Sequence, residues 1–215
     1  MTDLETQQFF DEMAPTWDQN LNTADDDERI RELLSRVNIP RGATVLDVGC
    51  GTGRLFHILP PLIGTTGKVI ALDFADNMVQ QARTKRLPNI YLLCGDAHSL
   101  PFAQERFDIV IGFAVFPHIR DQTQALVEFC RVLKVGGRVV IMHLRGSKEL
   151  NAIHRQVGKA VKNHQLSNIE EMGTYFRTTG FELEIGIDEP EGYLVVGIKG
   201  LPVHGSALSS NKPSK

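Results

Sequence analysis

Short, nearly unbroken apolar runs alternate with helical patterns through the middle of the chain. The apolar runs are rich in Val, Ile and Leu, and they occupy Thr44–Val48, Lys68–Asp73, Ile90–Cys94, Phe107–Phe113 and Arg138–Leu144. Runs of this kind are typical of strands that are covered on both faces, as in parallel sheets with crossover helices. The alternation of strands and helices predicts a doubly wound α/β sheet.

The rest of the pattern predicts the helices and the edge of this sheet. Helices are expected over residues 53–59, where Pro60 and Pro61 end the first one, and over residues 75–85, 121–133, 147–164 and 169–180. Two further runs, Phe181–Ile187 and Tyr193–Lys199, are joined by the short sequence DEPEG, which predicts an antiparallel pair at a sheet edge. The expected fold is therefore α/β, with a seven-stranded, mostly parallel sheet.

The N-terminal segment differs in charge and pattern from the rest. Up to Glu28 it holds nine acids and neither Lys nor Arg. Phe9, Phe10 and Trp17 recur at roughly helical spacing, which predicts an amphipathic helix that docks on another part of the chain. A second helix is expected to start in TADDDE, where acids oppose the helix dipole, and to end near Pro40.

Length and charge limit the classes of protein to consider. A chain of 215 residues suits one sizeable domain. We expect that domain at residues 1–200, with a helical lid region at 1–40 and a disordered tail at 201–215. The formal net charge of −3 argues against nucleic-acid binding by bulk electrostatics. Because neither a ~20-residue membrane span nor a signal-peptide pattern is found, a cytoplasmic location is expected. The three cysteines are too far apart in sequence to suggest a disulfide framework or a CxxC zinc site.

The stretch VLDVGCGTGRL, residues 45–55, places Gly49, Gly51 and Gly53 directly after the first predicted strand. Ligands of parallel α/β sheets bind beyond the carboxyl ends of the strands. Glycines there allow positive φ and remove the Cβ atom, so a ligand can lie against the backbone. A P-loop would need Gly-Lys-Ser/Thr, which does not follow, and a dinucleotide site would need a third glycine where Arg54 stands.

Five segments occur in a fixed order: VLDVGCGTG, ALDFADNMVQQAR, CGDAHSLPF, FDIVIGFAVFPHI and VLKVGGRVVIMH. In these segments the chain resembles the class I S-adenosylmethionine-dependent methyltransferases, in their ubiquinone/menaquinone-biosynthesis-like branch, over roughly residues 9–199. The resemblance implies a Rossmann-like fold, S-adenosyl-L-methionine as cofactor, and in-line methyl transfer to an O-, C- or S-nucleophile of a small molecule. A cofactor-binding sensor or scaffold without catalysis is the alternative. A nicotinamide-dependent dehydrogenase is disfavoured by Arg54 and by the Asp96 motif.

The adenosine end of the cofactor is expected to meet residues that follow the second and third strands. Asp73 ends the second strand, where an acid can accept hydrogen bonds from both ribose hydroxyls. Asp96 is expected to accept from the adenine amino group, and the Ala97 amide to donate to the ring. Phe74 and Met78 are expected to cover the adenine faces, although packing in a helix core explains Met78 equally well.

The methionine end is expected to meet the glycine stretch. Asp47 and the backbone from Gly49 to Gly51 would accept and surround the ammonium group. Phe113, at the end of the fourth strand, is expected to border the methionine. Cys50 is expected to be a small spacer and not a nucleophile.

Two histidines, His118 and His143, are the candidate catalytic groups, and a third, His154, follows them in the chain. His118 follows the fourth strand, His143 ends the fifth, and His154 lies on the next helix. An ordinary histidine pKa near 6.5 suits deprotonation of a phenol or thiol, so His118 and His143 are expected to contact or deprotonate the acceptor. Structural hydrogen bonding is an open alternative, and a metal or metalloid site of all three is the minority alternative.

The expected partner is therefore a small-molecule methyl acceptor, whose identity is left open. The fourth-strand segment GFAVFP lacks the Asn-Pro-Pro-Tyr/Phe pattern that the family uses on DNA or protein amides, so a nucleic-acid or protein-glutamine substrate is not expected. No membrane span is expected either, because no apolar run is long enough. A homodimer is an open alternative for the assembly. The N-terminal Phe9, Phe10 and Trp17 are expected to form a lid over the cofactor.

Overall fold

Seven strands form one sheet in the computed structural model, which describes residues 3–20, 23–85, 87–156 and 161–201. The strands are β1 Thr44–Val48, β2 Lys68–Asp73, β3 Ile90–Cys94, β4 Phe107–Phe113, β5 Leu133–His143, β6 Phe181–Glu189 and β7 Gly192–Lys199. Their order is β3-β2-β1-β4-β5-β7-β6. Strands β1 to β5 are parallel, and β7 pairs antiparallel with both β5 and β6. The predicted fold class is confirmed.

Helices cover both faces of the sheet. They are α1 Asp3–Met13, α2 Thr23–Ser35, α3 Leu59–Ile63, α4 Asp76–Thr84, α5 Gln122–Val132, α6 Ser147–Gln156 and α7 Ile169–Thr179. Two 3₁₀ helices, Ala14–Asn20 and Phe116–His118, follow α1 and β4. Residues 202–215, almost all of the predicted disordered tail, lie outside the described residues.

Two apolar cores lie on opposite faces of the sheet. On one face Leu46 of β1 belongs to a cluster with Phe129 of α5 and Phe176 of α7. On the other face Val45 belongs to a cluster with Leu34 of α2. Burial of alternate residues of one strand in two different cores explains why the strands are almost continuously apolar.

The prediction of a helix at residues 53–59 is wrong. Residues 51–58 form turns, and α3 begins only at Leu59, with Pro60 and Pro61 in its first turn. The first residues of a helix have no acceptor for their N–H groups, so prolines start this helix instead of ending the preceding segment.

Two other helices end earlier than the sequence predicts. The second N-terminal helix ends at Ser35 and does not reach Pro40. The helix expected over residues 147–164 is α6, which ends at Gln156, while residues 157–160 lie outside the description and His164 lies in irregular structure. The side chain of Asn151 on α6 bonds both backbone groups of Leu166, at 2.8 and 2.9 Å. The segment after α6 therefore folds back against that helix.

Candidate active site

A cavity of about 330 Å³ lies at the carboxyl ends of β1, β2, β4 and β5. Strand order reverses between β1 and β4, and an α/β sheet opens a crevice at such a point. All ten residues predicted to hold the cofactor line this cavity: Asp47, Gly49, Cys50, Gly51, Asp73, Phe74, Met78, Asp96, Ala97 and Phe113. His118 and His143 line it as well, whereas His154 lies outside the lining.

The three loop glycines all have left-handed backbones, with φ of 68° at Gly49, 54° at Gly51 and 91° at Gly53. A Cβ atom on Gly49 would lie 2.1 Å from Cγ2 of Val115, and one on Gly53 would lie 2.6 Å from the Phe56 ring. A Cβ atom on Gly51 would meet no atom of the described residues within 4 Å. Gly49 and Gly53 thus serve close packing, whereas the space beside Gly51 is open to the cavity.

The carboxylate of Asp73 lines the cavity and also fixes the backbone of residues 49–53, which we call the glycine loop. Its Oδ2 accepts from the Gly51 amide at 2.7 Å, and its Oδ1 accepts from the Ala75 amide at 2.9 Å. Burial raises the pKa of Asp73 above its ordinary value, and the backbone donors partly oppose that shift. Each oxygen keeps a lone pair for a ligand hydroxyl, so the sequence assignment to ribose is compatible with this second task.

Asp47, at the end of β1, is 1% exposed, and its Oδ2 has no hydrogen-bond partner among the described residues. Burial, with the nearby charge of Asp73, raises its pKa to about 7. A buried carboxylate without a partner is costly unless a cation or donor meets it. Two carboxylates beside an open glycine backbone therefore fit a ligand that brings a cationic group and hydroxyls, as S-adenosylmethionine does.

The part of the cavity that follows β2 and β3 carries apolar surface and one paired acid. Phe74 and Met78 form a small cluster with Phe10 and Trp17 of the N-terminal segment. Oδ1 of Asp96 accepts from the backbone amide of His98 at 2.9 Å and lies 2.6 Å from its Nδ1. Asp96 is thus held in place by His98 through one of its two carboxylate oxygens.

Cys50 is buried beside the two carboxylates. Burial first, then the charges of Asp47 and Asp73, raise the pKa of its thiol well above the ordinary value. The thiol is therefore protonated at neutral pH, as a spacer requires. Cys94 and Cys130 are free thiols too.

His143 is 3% exposed, and no described residue bonds its Nε2. Burial, with His154 nearby, lowers its pKa to about 3, so the ring is neutral at physiological pH. Burial also lowers the pKa of His118 well below the ordinary range, and His164, His154 and His143 add to that shift. Both cavity histidines are therefore neutral rings, each with a nitrogen that can accept a hydrogen bond.

A second contact links His118 to the C-terminal half of the chain. Its Nδ1 lies 2.8 Å from Nδ1 of His164. His154 uses its own Nδ1 to donate to the His164 backbone carbonyl, at 2.7 Å. Within the described residues no group of three or more His, Cys, Asp or Glu side chains is arranged to hold a metal ion. These histidines thus form a hydrogen-bonded cluster.

The N-terminal segment covers one side of the cavity. Phe10 and Trp17 line it and pack edge to face at 5.8 Å, and Phe10 also meets Phe74 at 6.3 Å. Phe9 lies outside the lining and contacts Phe10 at 5.3 Å. Asp11 caps α4 by accepting from the Asn77 amide at 2.8 Å. The segment is thus placed as a lid would be, with Phe10 and Trp17 as its inner face.

Residues 39–184 match a family model described as a methyltransferase domain. The chain belongs to the class I S-adenosylmethionine-dependent methyltransferases. Curated demethylmenaquinone methyltransferases of Staphylococcus epidermidis and Oceanobacillus iheyensis are each 41% identical over 115 residues, which cover 52% and 51% of this chain and 47% and 48% of theirs. The chain spans about half the length of the curated relatives it matches.

Solved structures of the family share the fold of this methyltransferase chain. A S-adenosylmethionine-dependent methyltransferase of Aquifex aeolicus matches with a TM-score of 0.68 and 21% identity, over 90% of this chain and 98% of that one. One of Mesorhizobium loti matches with a TM-score of 0.64 and 16% identity, over 78% and 95%. At these identities the likeness concerns the fold alone. Of the helices in the described ranges, none has the length and apolarity of a membrane span.

Three contacts of this methyltransferase site were not predicted from the sequence. Arg54 pairs with Asp27 of α2 at 2.6 Å and so ties that helix to the glycine loop. His98 holds Asp96, and His164 holds His118. The signal for His98 was its place two residues after Asp96, but His164 lies 46 residues from His118 in a segment predicted to be helical.

Proposed function

We propose that the protein transfers a methyl group from S-adenosylmethionine to an O-, C- or S-nucleophile of a small molecule. The observation that carries this proposal is the partnerless Oδ2 of buried Asp47 beside the open face of Gly51. A ligand ammonium there would supply the charge that the buried carboxylate needs. The name of the curated relatives makes a quinol of the demethylmenaquinone type the first acceptor to test.

In this proposal the cavity residues divide the cofactor between them. Asp47 and the amides of the glycine loop hold the methionine end, and Asp73 accepts from the ribose hydroxyls. Phe74 and Met78 cover the adenine, beside Asp96. S-adenosylmethionine, when bound, supplies a methyl group already activated by its sulfonium.

The acceptor side needs positioning, a dry cavity and a proton acceptor. Nε2 of His118 has no hydrogen-bond partner among the described residues, and this neutral ring is proposed to take the acceptor's proton. Nε2 of His143 is proposed to form a hydrogen bond to the acceptor and orient it. Phe10 and Trp17 are proposed to close the cavity against water.

Calorimetry with S-adenosylmethionine, with its demethylated product and with NADH tests the cofactor first. We expect both sulfur compounds to bind and NADH to fail. A methyl-transfer screen over quinols, phenols and thiols then tests catalysis. His118→Gln should keep cofactor affinity and lose turnover, whereas Gln104→Ala, on an exposed loop, should keep both. Binding without turnover on any acceptor would favour the sensor or scaffold.

A further inference from the structure

We propose that His118 and His164 form a two-histidine relay that moves the acceptor's proton out of the cavity to water on the far side of His118. This inference rests on the proposed function, because it concerns the proton that methyl transfer releases. His164 has no assigned role in that function so far.

The position of His118 between two depressions is the first argument. Its side chain lines the cavity, and it also lines a second depression whose wall includes His164, Asn163, Gln165 and Tyr175. His164 lines only that second depression, which we call the side groove, and its ring is half-buried. The pair therefore connects the cavity to the side groove.

The hydrogen bond between the rings is the second argument. The Nδ1 atoms lie 2.8 Å apart and the ring centroids 5.0 Å apart. One of two facing ring nitrogens must carry the proton and the other must accept it. The bond occupies Nδ1 of His118 and leaves Nε2 for the acceptor.

The surroundings hold both rings in this arrangement. His154 donates to the backbone carbonyl of His164, and Asn151 bonds both backbone groups of Leu166, so α6 fixes the segment that carries His164. On the other side, the Phe10 ring packs edge to face against His118 at 5.2 Å. A rigid pair of rings needs little rearrangement before each transfer.

Charge around the pair favours passing the proton on. The charges of His143, His154 and His164 act on His118. Arg120 and Glu171 line the side groove together with His118. Burial and the histidines disfavour a lasting imidazolium at His118. His164 lines the side groove and is less deeply buried than His118, so water can remove the proton there.

In each methyl transfer His118 takes up one proton from the acceptor and His164 releases one proton to water. The acceptor gives its proton to Nε2 of His118 as it takes the methyl group. The proton on Nδ1 of His118 moves to Nδ1 of His164, and Nε2 of His164 releases a proton to water in the side groove. After the product leaves and water enters the open cavity, Nε2 of His118 gives its proton to that water, Nε2 of His164 takes one from water in the side groove, and the shared proton returns to Nδ1 of His118.

The first test uses the protein without acceptor, by ¹⁵N-edited NMR of the histidine rings. Wild-type protein should show His118 protonated at Nδ1 in the apo state, with a hydrogen-bonded ring proton that His164→Ala removes. His164→Ala should also raise the pH at which His118 titrates, because a neighbouring cation is lost. Unchanged His118 signals in His164→Ala would overturn the relay, whatever the protein methylates.

The second test is kinetic and uses His164→Gln, which can hydrogen-bond but cannot carry a proton. We expect kcat to fall about 10- to 100-fold with KM and cofactor affinity unchanged, and added imidazole to restore most of it. Gln165→Ala, on the same groove, is the matched control and should keep kcat. Full activity of His164→Gln, or a loss that imidazole does not restore, would contradict the relay. Wild-type protein that methylates nothing would refute the proposed function and the relay together.

Discussion

Asp47 sets how strongly the cavity can hold a cation. Its pKa is raised to about 7, so the carboxyl group is mostly protonated at pH 6 and mostly ionised at pH 8. If the ionised form binds the cofactor ammonium, affinity for S-adenosylmethionine should be about tenfold weaker at pH 6 than at pH 8. Calorimetry at the two pH values, in buffers of different ionisation enthalpy, measures both the affinity and the proton released.

Asp47→Asn provides the comparison. The variant should bind more weakly at pH 8 and lose the pH dependence, while Glu170→Gln, an exposed acid on α7, should keep it. If the affinity of Asp47→Asn depends on pH as steeply as that of the wild type, a group other than Asp47 controls the binding.

The raised pKa of Asp47 also means that the folded state binds this proton more tightly than the unfolded state. Without ligand, wild-type stability should therefore fall as pH rises from about 4 to 7, and Asp47→Asn should lack that part of the loss.

In the proposed function, His143 is a buried neutral ring on the acceptor side. We expect His143→Ala, and the closer-sized His143→Gln, to leave S-adenosylmethionine affinity nearly intact and to lower turnover about 10- to 100-fold. Because burial lowers its pKa to about 3, the native state also resists protonation here. Wild-type stability should be unaffected by this group above pH 6.5 and decrease as the pH falls from there toward 3. Unchanged turnover of both variants on the true acceptor would remove His143 from the mechanism.

At the scale of single residues, the site residues near the ends of strands could be predicted from the sequence. Asp47 is the last but one residue of β1 and Asp73 is the last residue of β2, and parallel strands bring their carboxyl ends to one edge, so chain position alone predicts that the two side chains lie close together. The bond from the Gly51 amide to Asp73 was not predictable, because it depends on the turn that the loop adopts. His164 was missed for a related reason: only the return of the chain after α6 brings it to His118.

The effect of the proposed N-terminal lid on cofactor affinity can be measured. Phe10 touches Trp17, Phe74 and His118, whereas Leu4 on the same helix is 61% exposed. Phe10→Ala should weaken cofactor affinity about 10-fold, because a cavity wall is lost, and Leu4→Ala should not. Deletion of residues 1–20 should weaken affinity further. Unchanged affinity of the deletion variant by calorimetry would refute the lid.

Strands were easier to predict than helix ends. The boundaries of β1 to β4 agree with the apolar runs to the residue, and most residues of β1, β2 and β4 are buried, whereas the edge strand β3 is only partly buried. The turns at residues 51–58 were mistaken for a helix because an apolar run follows the glycines there. The decisive requirement was the left-handed backbone of three glycines, which an α-helix cannot contain.

At the scale of the whole molecule, the cavity joins parts of the chain that are distant in sequence. Its lining combines the N-terminal Phe10 and Trp17, the ends of several strands, and Leu150 of α6. The two apolar cores meet through the same strands, on opposite faces of the sheet. A ligand bound in this cavity contacts both halves of the sheet, β3-β2-β1 and β4-β5-β7-β6. The ligand must therefore dissociate when either half unfolds.

Thermal unfolding tests this coupling. A ligand at 100 times its Kd that binds only the folded state stabilises it by about 2.7 kcal/mol. For a domain of this size that corresponds to a rise in Tm of roughly 5–11 °C. S-adenosylmethionine should raise the Tm of a single transition by this amount, and NADH at the same concentration should not. Asp47→Asn should reduce the rise, since it removes the ammonium partner. Two transitions, with only one shifted by the ligand, would mean that the halves unfold separately and that the cavity belongs to one of them alone.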